Sequence, residues 1–113
     1  MPVRSLTSSV LRWPNHREVD DAVREWARRL LRSNPDVSKV GYSGSYARGT
    51  WGVGSDIDLV IVVKGSDKPF IERARSIDAT GLPVPADVLV YVELEWAEMS
   101  TGGRAPHPVV WVT

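Results

Sequence analysis

Residues 44–63 read GSYARGTWGVGSDIDLVIVV, and this stretch decides the fold. Its second half, Asp56 to Val63, has the β-branched content and length of a strand buried in a sheet. Its first half lies in a glycine-rich connector. Gly41, Gly44, Gly49, Gly52 and Gly54 fall within fourteen residues, with Ser43 and Ser45 among them and Ser55 directly after. Asp56 and Asp58 stand at i and i+2 of the strand, so their carboxylates share a face and converge. Two like charges so close are costly unless something compensates, and a hard divalent cation such as magnesium does so directly. Taken alone, an Asp-X-Asp is equally an acidic, exposed strand start. Gly44-Ser45 precedes a short helix over 46–50. A glycine lets the backbone approach a phosphate closely, and helix-start N–H groups with a serine hydroxyl can bond phosphate oxygens. By itself the segment reads just as well as a flexible loop. It is neither a Walker A loop, lacking Gly-Lys-Ser/Thr, nor a dinucleotide fingerprint, because the glycine spacing differs.

Working outward, Val37 to Tyr42 alternates as a short strand. Before it, Asn15 with Glu18 three residues on predicts a capping-box start. Val19, Ala22, Val23, Trp26, Ala27, Leu30 and Leu31 then keep i, i+3, i+4, i+7 spacing, which predicts a helix over 16–32 stopped at Ser33-Asn34-Pro35. Downstream, Phe70, Ile71, Ala74 and Ile77 outline a weaker helix over 67–79. Ala86 to Val92 is a third strand, 93–99 a short helix and Val109 to Val112 a last short strand. Residues 1–14 are expected to be an irregular or partly strand-like arm. This order implies an α/β (α+β) sandwich: one domain over 1–113, a small mixed sheet with helices packed on it.

Composition narrows the function classes. At 113 residues the chain holds one modest core. Fourteen basic residues balance fourteen acidic ones, which argues against a dedicated nucleic-acid binder. Cysteine is absent, which excludes disulfides, thiolate metal ligands and a cysteine nucleophile. His16 and His107 are too few for a histidine-built zinc site unless carboxylates complete it. No apolar run approaches a membrane span and the N-terminus has no signal-peptide core, so a reducing cytoplasm is the expected address. Of the five tryptophans, Trp26 falls on the helix stripe as core. Trp51 is either a loop anchor or a stacking platform near the site. Trp13, Trp96 and Trp111 either fill the core or face a partner.

A third carboxylate, Asp87, opens the strand after the connector Gly81-Leu82-Pro83-Val84-Pro85. If that strand lies beside the first, Asp87 points at the same place as Asp56 and Asp58. Three such carboxylates can hold two magnesium ions about 3.5–4 Å apart, the arrangement used for in-line displacement at phosphorus. Alone, Asp87 is a solvated strand end. Arg48 is a candidate partner for a triphosphate, or a plain surface cation.

Jointly, Gly44-Ser45, ten intervening residues, Asp56-Ile57-Asp58 before an apolar strand and a later Asp87 resemble the signature of the DNA polymerase beta-like nucleotidyltransferase superfamily. The run from Gly44 to Val63 is most similar to the minimal nucleotidyltransferases of prokaryotes, and the likeness extends over roughly 16–113. The resemblance implies the polymerase beta-like fold. It implies that Gly44 and Ser45 hold the phosphates of ATP or another nucleoside triphosphate. It implies that Asp56 and Asp58 bind Mg2+ and that Asp87 completes the metal site and helps deprotonate an acceptor hydroxyl. Larger members append a domain that grips the acceptor; here the chain ends after the expected last strand, so the acceptor is expected to bind through a partner or to be one. The minimal family resembles the antitoxin of toxin–antitoxin pairs whose partner is a helical HEPN-type ribonuclease, and such antitoxins add AMP to a tyrosine of the toxin. Two rival readings are transfer to a small molecule gripped by a separate subunit, and a non-catalytic module that neutralises its partner by contact.

Overall fold

The computed structural model describes residues 13–113. The expectation of an N-terminal arm falls, for residues 1–12, outside the described residues. Helix α1 spans His16–Ser33. The Asn15 side chain accepts from the Glu18 N–H at 2.8 Å, and Glu18 accepts from the Asn15 N–H at 3.0 Å, so two donors at the helix start are satisfied reciprocally. Strand β1 (Val37–Ser43) leads through Gly44 into the four-residue α2 (Ser45–Arg48). Strand β2 (Ile57–Val63) follows, then α3 (Phe70–Arg73) with a 3-10 turn at Ala74–Ser76. Strand β3 (Ala86–Val92), α4 (Glu93–Thr101) and β4 (Val110–Trp111) complete the order. Among the described residues no helix is long and apolar enough to cross a membrane.

The sheet runs β3-β2-β1-β4 and is mixed. β2 pairs antiparallel with β1 and parallel with β3; β4 pairs antiparallel with β1. Strand alternation gives the sheet two distinct faces. On one, Val40, Tyr42, Ile57, Leu59, Ile61 and Val90 pack with Val19, Val23, Trp26 and Ala27 of α1 into the main core. On the other, Val60 and Val62 are buried where α4 packs on β2 and β3. A chain of ring contacts crosses this second face, from Phe70 to Tyr91, Tyr91 to Trp96 and Trp96 to Trp111, with centroids 5.3–5.4 Å apart. Trp96 and Trp111 therefore help to close this second layer, and Trp26 is core as its helical position predicts.

The segment after β2 departs from expectation. A helix over 67–79 is predicted, but only 70–73 is α-helical and the chain is extended again at Ile77. Three hydrogen bonds at Asp78 stop it. The Asp78 side chain accepts from the Thr80 N–H and hydroxyl at 3.0 and 2.6 Å, a turn that competes with helix. The Trp26 indole N–H takes the Asp78 carbonyl at 2.9 Å, tying the segment to α1. The predicted apolar face is split: Ala74 and Ile77 pack on the core, while Phe70 and Ile71 are 40% and 80% exposed.

Candidate active site

The carboxylates gather where β1 ends and β2 and β3 begin. Asp58 pairs with Asp87 across the parallel β2–β3 ladder and with Ser43 across the antiparallel β1–β2 ladder. In-register neighbours point to the same side, so Asp58 and Asp87 share the face opposite α1. Asp56, two residues before Asp58, lies just outside β2 on that same side. Asp58 is half-buried, whereas Asp56 and Asp87 are exposed. Burial pushes the Asp58 carboxyl above its ordinary value, and the negative charges of Asp87 and then Asp56 push it further, against a smaller opposing pull from Arg48. Asp58 thus feels both other acids, and Arg48, at the end of α2, is the cation that partly offsets them there.

Three hard carboxylates in mutual repulsion are the donor set that suits a divalent cation such as magnesium. They are not drawn into a closed cage: among the described residues no three His, Asp or Glu side chains gather tightly enough to ligate an ion. The strands bring Asp58 and Asp87 side by side, and Asp56 stands two residues before Asp58.

Gly44 has a role that the sequence reading gave to a ligand. Its φ of 73° and ψ of −150° lie in a region essentially reserved for glycine. A Cβ built there would sit 2.1 Å from Asp58 Oδ2. The missing side chain makes room first of all for the carboxylate of Asp58, so the turn into α2 and the acidic strand are packed as one unit. Ser45, at the head of α2, is partly exposed beside them.

Residues that the sequence reading passed over secure this corner. Tyr46 is buried, and its ring stacks on Trp51 at 5.5 Å with only 6° between planes. The Tyr46 hydroxyl accepts from the Trp13 indole N–H at 3.2 Å and donates to the Ser55 carbonyl at 3.4 Å. Trp51 is thereby an anchor of the glycine loop, one of the two roles open to it. Behind α2, His16 Nε2 lies 3.1 Å from the Tyr46 carbonyl and 3.5 Å from the Tyr42 hydroxyl. That hydroxyl donates to Asp20 at 2.8 Å, and Arg24 donates to the other Asp20 oxygen at 2.6 Å. The only sequence signal for this set is a run of polar residues on the first turns of α1, which a solvated face explains equally well.

A sequence profile described as a nucleotidyltransferase domain matches residues 23–104, most of the chain and all three acids. The chain belongs to the nucleotidyltransferase domain family. A solved structure from Sulfolobus solfataricus, provisionally described as a nucleotidyltransferase, is similar with a TM-score of 0.66 at 23% identity, over 85% of this chain and 80% of that one. At that identity the likeness is one of fold, and it agrees with the small mixed sheet and packed helices seen here. No curated protein sequence matches the chain. In this nucleotidyltransferase the Gly44-Ser45 turn and the Asp56, Asp58 and Asp87 carboxylates lie within the matched region.

Proposed function

We propose that this nucleotidyltransferase domain transfers a nucleoside monophosphate, AMP from ATP, to a hydroxyl of a partner protein in a magnesium-dependent reaction. The observation that carries this reading is the pairing of Asp58 with Asp87 on adjacent parallel strands, with Asp56 two residues before Asp58 and Gly44 packed against the Asp58 carboxylate. Asp56, Asp58 and Asp87 would hold the cation, whose chemistry is to neutralise charge on the triphosphate and at the reacting phosphorus. Gly44, Ser45 and Arg48 orient the phosphates. Asp87, the more exposed of the strand pair, takes the proton of the acceptor hydroxyl. The acceptor oxygen forms a bond to the α-phosphorus, the bond from that phosphorus to the bridging oxygen breaks, and pyrophosphate leaves. Positioning and electrostatics carry the catalysis, with no protein nucleophile.

The acceptor is read as a protein because Asp56 and Asp87 are exposed and no described element covers them. An acceptor that brings its own surface fits such an open site. The biological setting we propose is the antitoxin half of a cytoplasmic toxin–antitoxin pair, with a helical HEPN-type toxin as acceptor.

The test is transfer of label from α-labelled ATP with magnesium to the protein that co-purifies with this chain from its host. Label on that protein, lost in Asp56→Ala and Asp58→Ala, is the expected result. An unlabelled partner that wild type and Asp58→Ala inhibit equally would instead assign neutralisation by contact.

A further inference from the structure

We propose that His16 is a positioning residue for the triphosphate: its Nε2–H holds the Tyr46 carbonyl and so fixes the short helix whose first turn, Gly44-Ser45, meets the phosphates. The inference rests on the nucleotidyl-transfer reading and assigns that site a support from α1.

The argument begins with how little α2 can do for itself. Four residues fall far short of the length at which an isolated helix is stable, so tertiary ties must hold it. Within the turn, the Gly44 carbonyl accepts from the Ala47 and Arg48 N–H groups at 3.1 and 3.0 Å, and the Ser45 carbonyl from Thr50 at 3.0 Å. The Tyr46 carbonyl is bonded from outside, by His16 across the boundary with α1. A carbonyl only accepts, so Nε2 must carry the proton.

The neighbouring groups agree on that direction. Arg24 donates to Asp20, and the Tyr42 hydroxyl spends its only proton on Asp20, which leaves the Tyr42 oxygen facing Nε2 as an acceptor. Burial, and then the bond to Asp20, push Tyr42 well above the ordinary phenol value, so it stays a donor. Burial pulls the Asp20 carboxyl upward, but its bonds from Arg24 and Tyr42 outweigh that and hold it below its usual value, so it stays an acceptor. Each proton in the chain has one place, and the chain ends on the backbone of the residue after Ser45. The ring of Tyr46 touches the His16 ring, with centroids 6.4 Å apart, but is also held by Trp13, Trp51 and Ser55, so it keeps those ties when His16 is replaced by the similarly sized Leu.

Magnesium tripolyphosphate is the probe, because it reads the phosphate site without a base; ATP turnover is measured in parallel. His16→Leu is expected to weaken tripolyphosphate binding and raise KM for ATP roughly three- to tenfold, the worth of one hydrogen bond, with a smaller change in kcat. His16→Gln, whose amide N–H can reach the same carbonyl, is expected to restore binding to within about twofold of wild type. Equal binding by wild type and His16→Leu overturns the inference. So does a His16→Gln variant that regains the wild-type melting temperature but not the affinity, since that marks a purely structural residue. A wild-type chain that binds neither tripolyphosphate nor ATP overturns the nucleotidyl-transfer reading itself.

Discussion

Asp58 shows how a residue of the proposed site works against the fold that carries it. Its folded-state pKa is raised by burial and by two neighbouring acids, so the folded chain holds that proton more tightly than the unfolded chain. Its charge therefore costs stability once pH exceeds the folded value, and the cost disappears below about pH 4, where the unfolded group is also protonated. Asp58→Asn should raise the melting temperature at pH 7 relative to wild type, with the difference vanishing near pH 3, while transfer is lost. Thermal unfolding of both chains across that range decides it; an Asp58→Asn chain that melts lower at pH 7 would contradict it. Gly44 is the counterpart on β1. With positive φ and a Cβ position 2.1 Å from Asp58 Oδ2, Gly44→Ala must displace either the turn or the carboxylate, and should lose activity before it loses the fold.

At the scale of elements, the crossover from β2 to β3 is pinned by Arg73. Its guanidinium donates to Glu95 Oε1 at 2.6 Å and to the Val90 carbonyl at 3.3 Å, while Glu95 also accepts from the Val92 N–H at 3.0 Å at the head of α4. The Arg73 bond, then the Val92 N–H, holds the Glu95 carboxyl below its usual range. That stabilisation is present above the unfolded carboxylate pKa of about 4.3 and is lost as pH falls through the lower folded value. Because Glu95 is 40% exposed and solvent screens the pair, Arg73→Met should cost about 1 kcal/mol at pH 7 and flatten the decline in melting temperature between pH 5 and pH 3. The elements differ in how far the sequence disclosed them. Helix α1 and strand β3 were legible because each repeats one period over its whole length and its caps or prolines lie at the ends. The helix expected over 67–79 was not, because its end is set by a tryptophan on α1 and by Asp78 turning back on Thr80, contacts that spacing does not encode. That Asp58 and Asp87 stand side by side was legible from their places at the starts of two apolar strands. The support behind α2 was not, since His16, Asp20 and Arg24 look like any polar helix face until β1 supplies Tyr42.

Across the whole molecule, one sheet face is devoted to α1 and the other is shared between α4 with its aromatic chain and an open acidic end. A ligand that binds only the folded chain stabilises it, by about 2.7 kcal/mol at a hundredfold excess over Kd. For a domain of this size, magnesium with ATP should therefore raise the melting temperature by on the order of 10 °C, and Asp56→Ala should abolish most of the rise. Calorimetry with ATP alone, magnesium alone and both separates nucleotide from cation. The matched pairing of Asp58 with Asp87 carries one more consequence. Because neighbouring side chains alternate, sliding β3 by a single step along β2 would turn Asp87 toward α1 and pull Val88 and Val90 out of the core they share with it. Misalignment is penalised by greasy surface long before chemistry is attempted, so every molecule that folds arrives with its acids already mustered, and the active fraction of a preparation should equal its folded fraction.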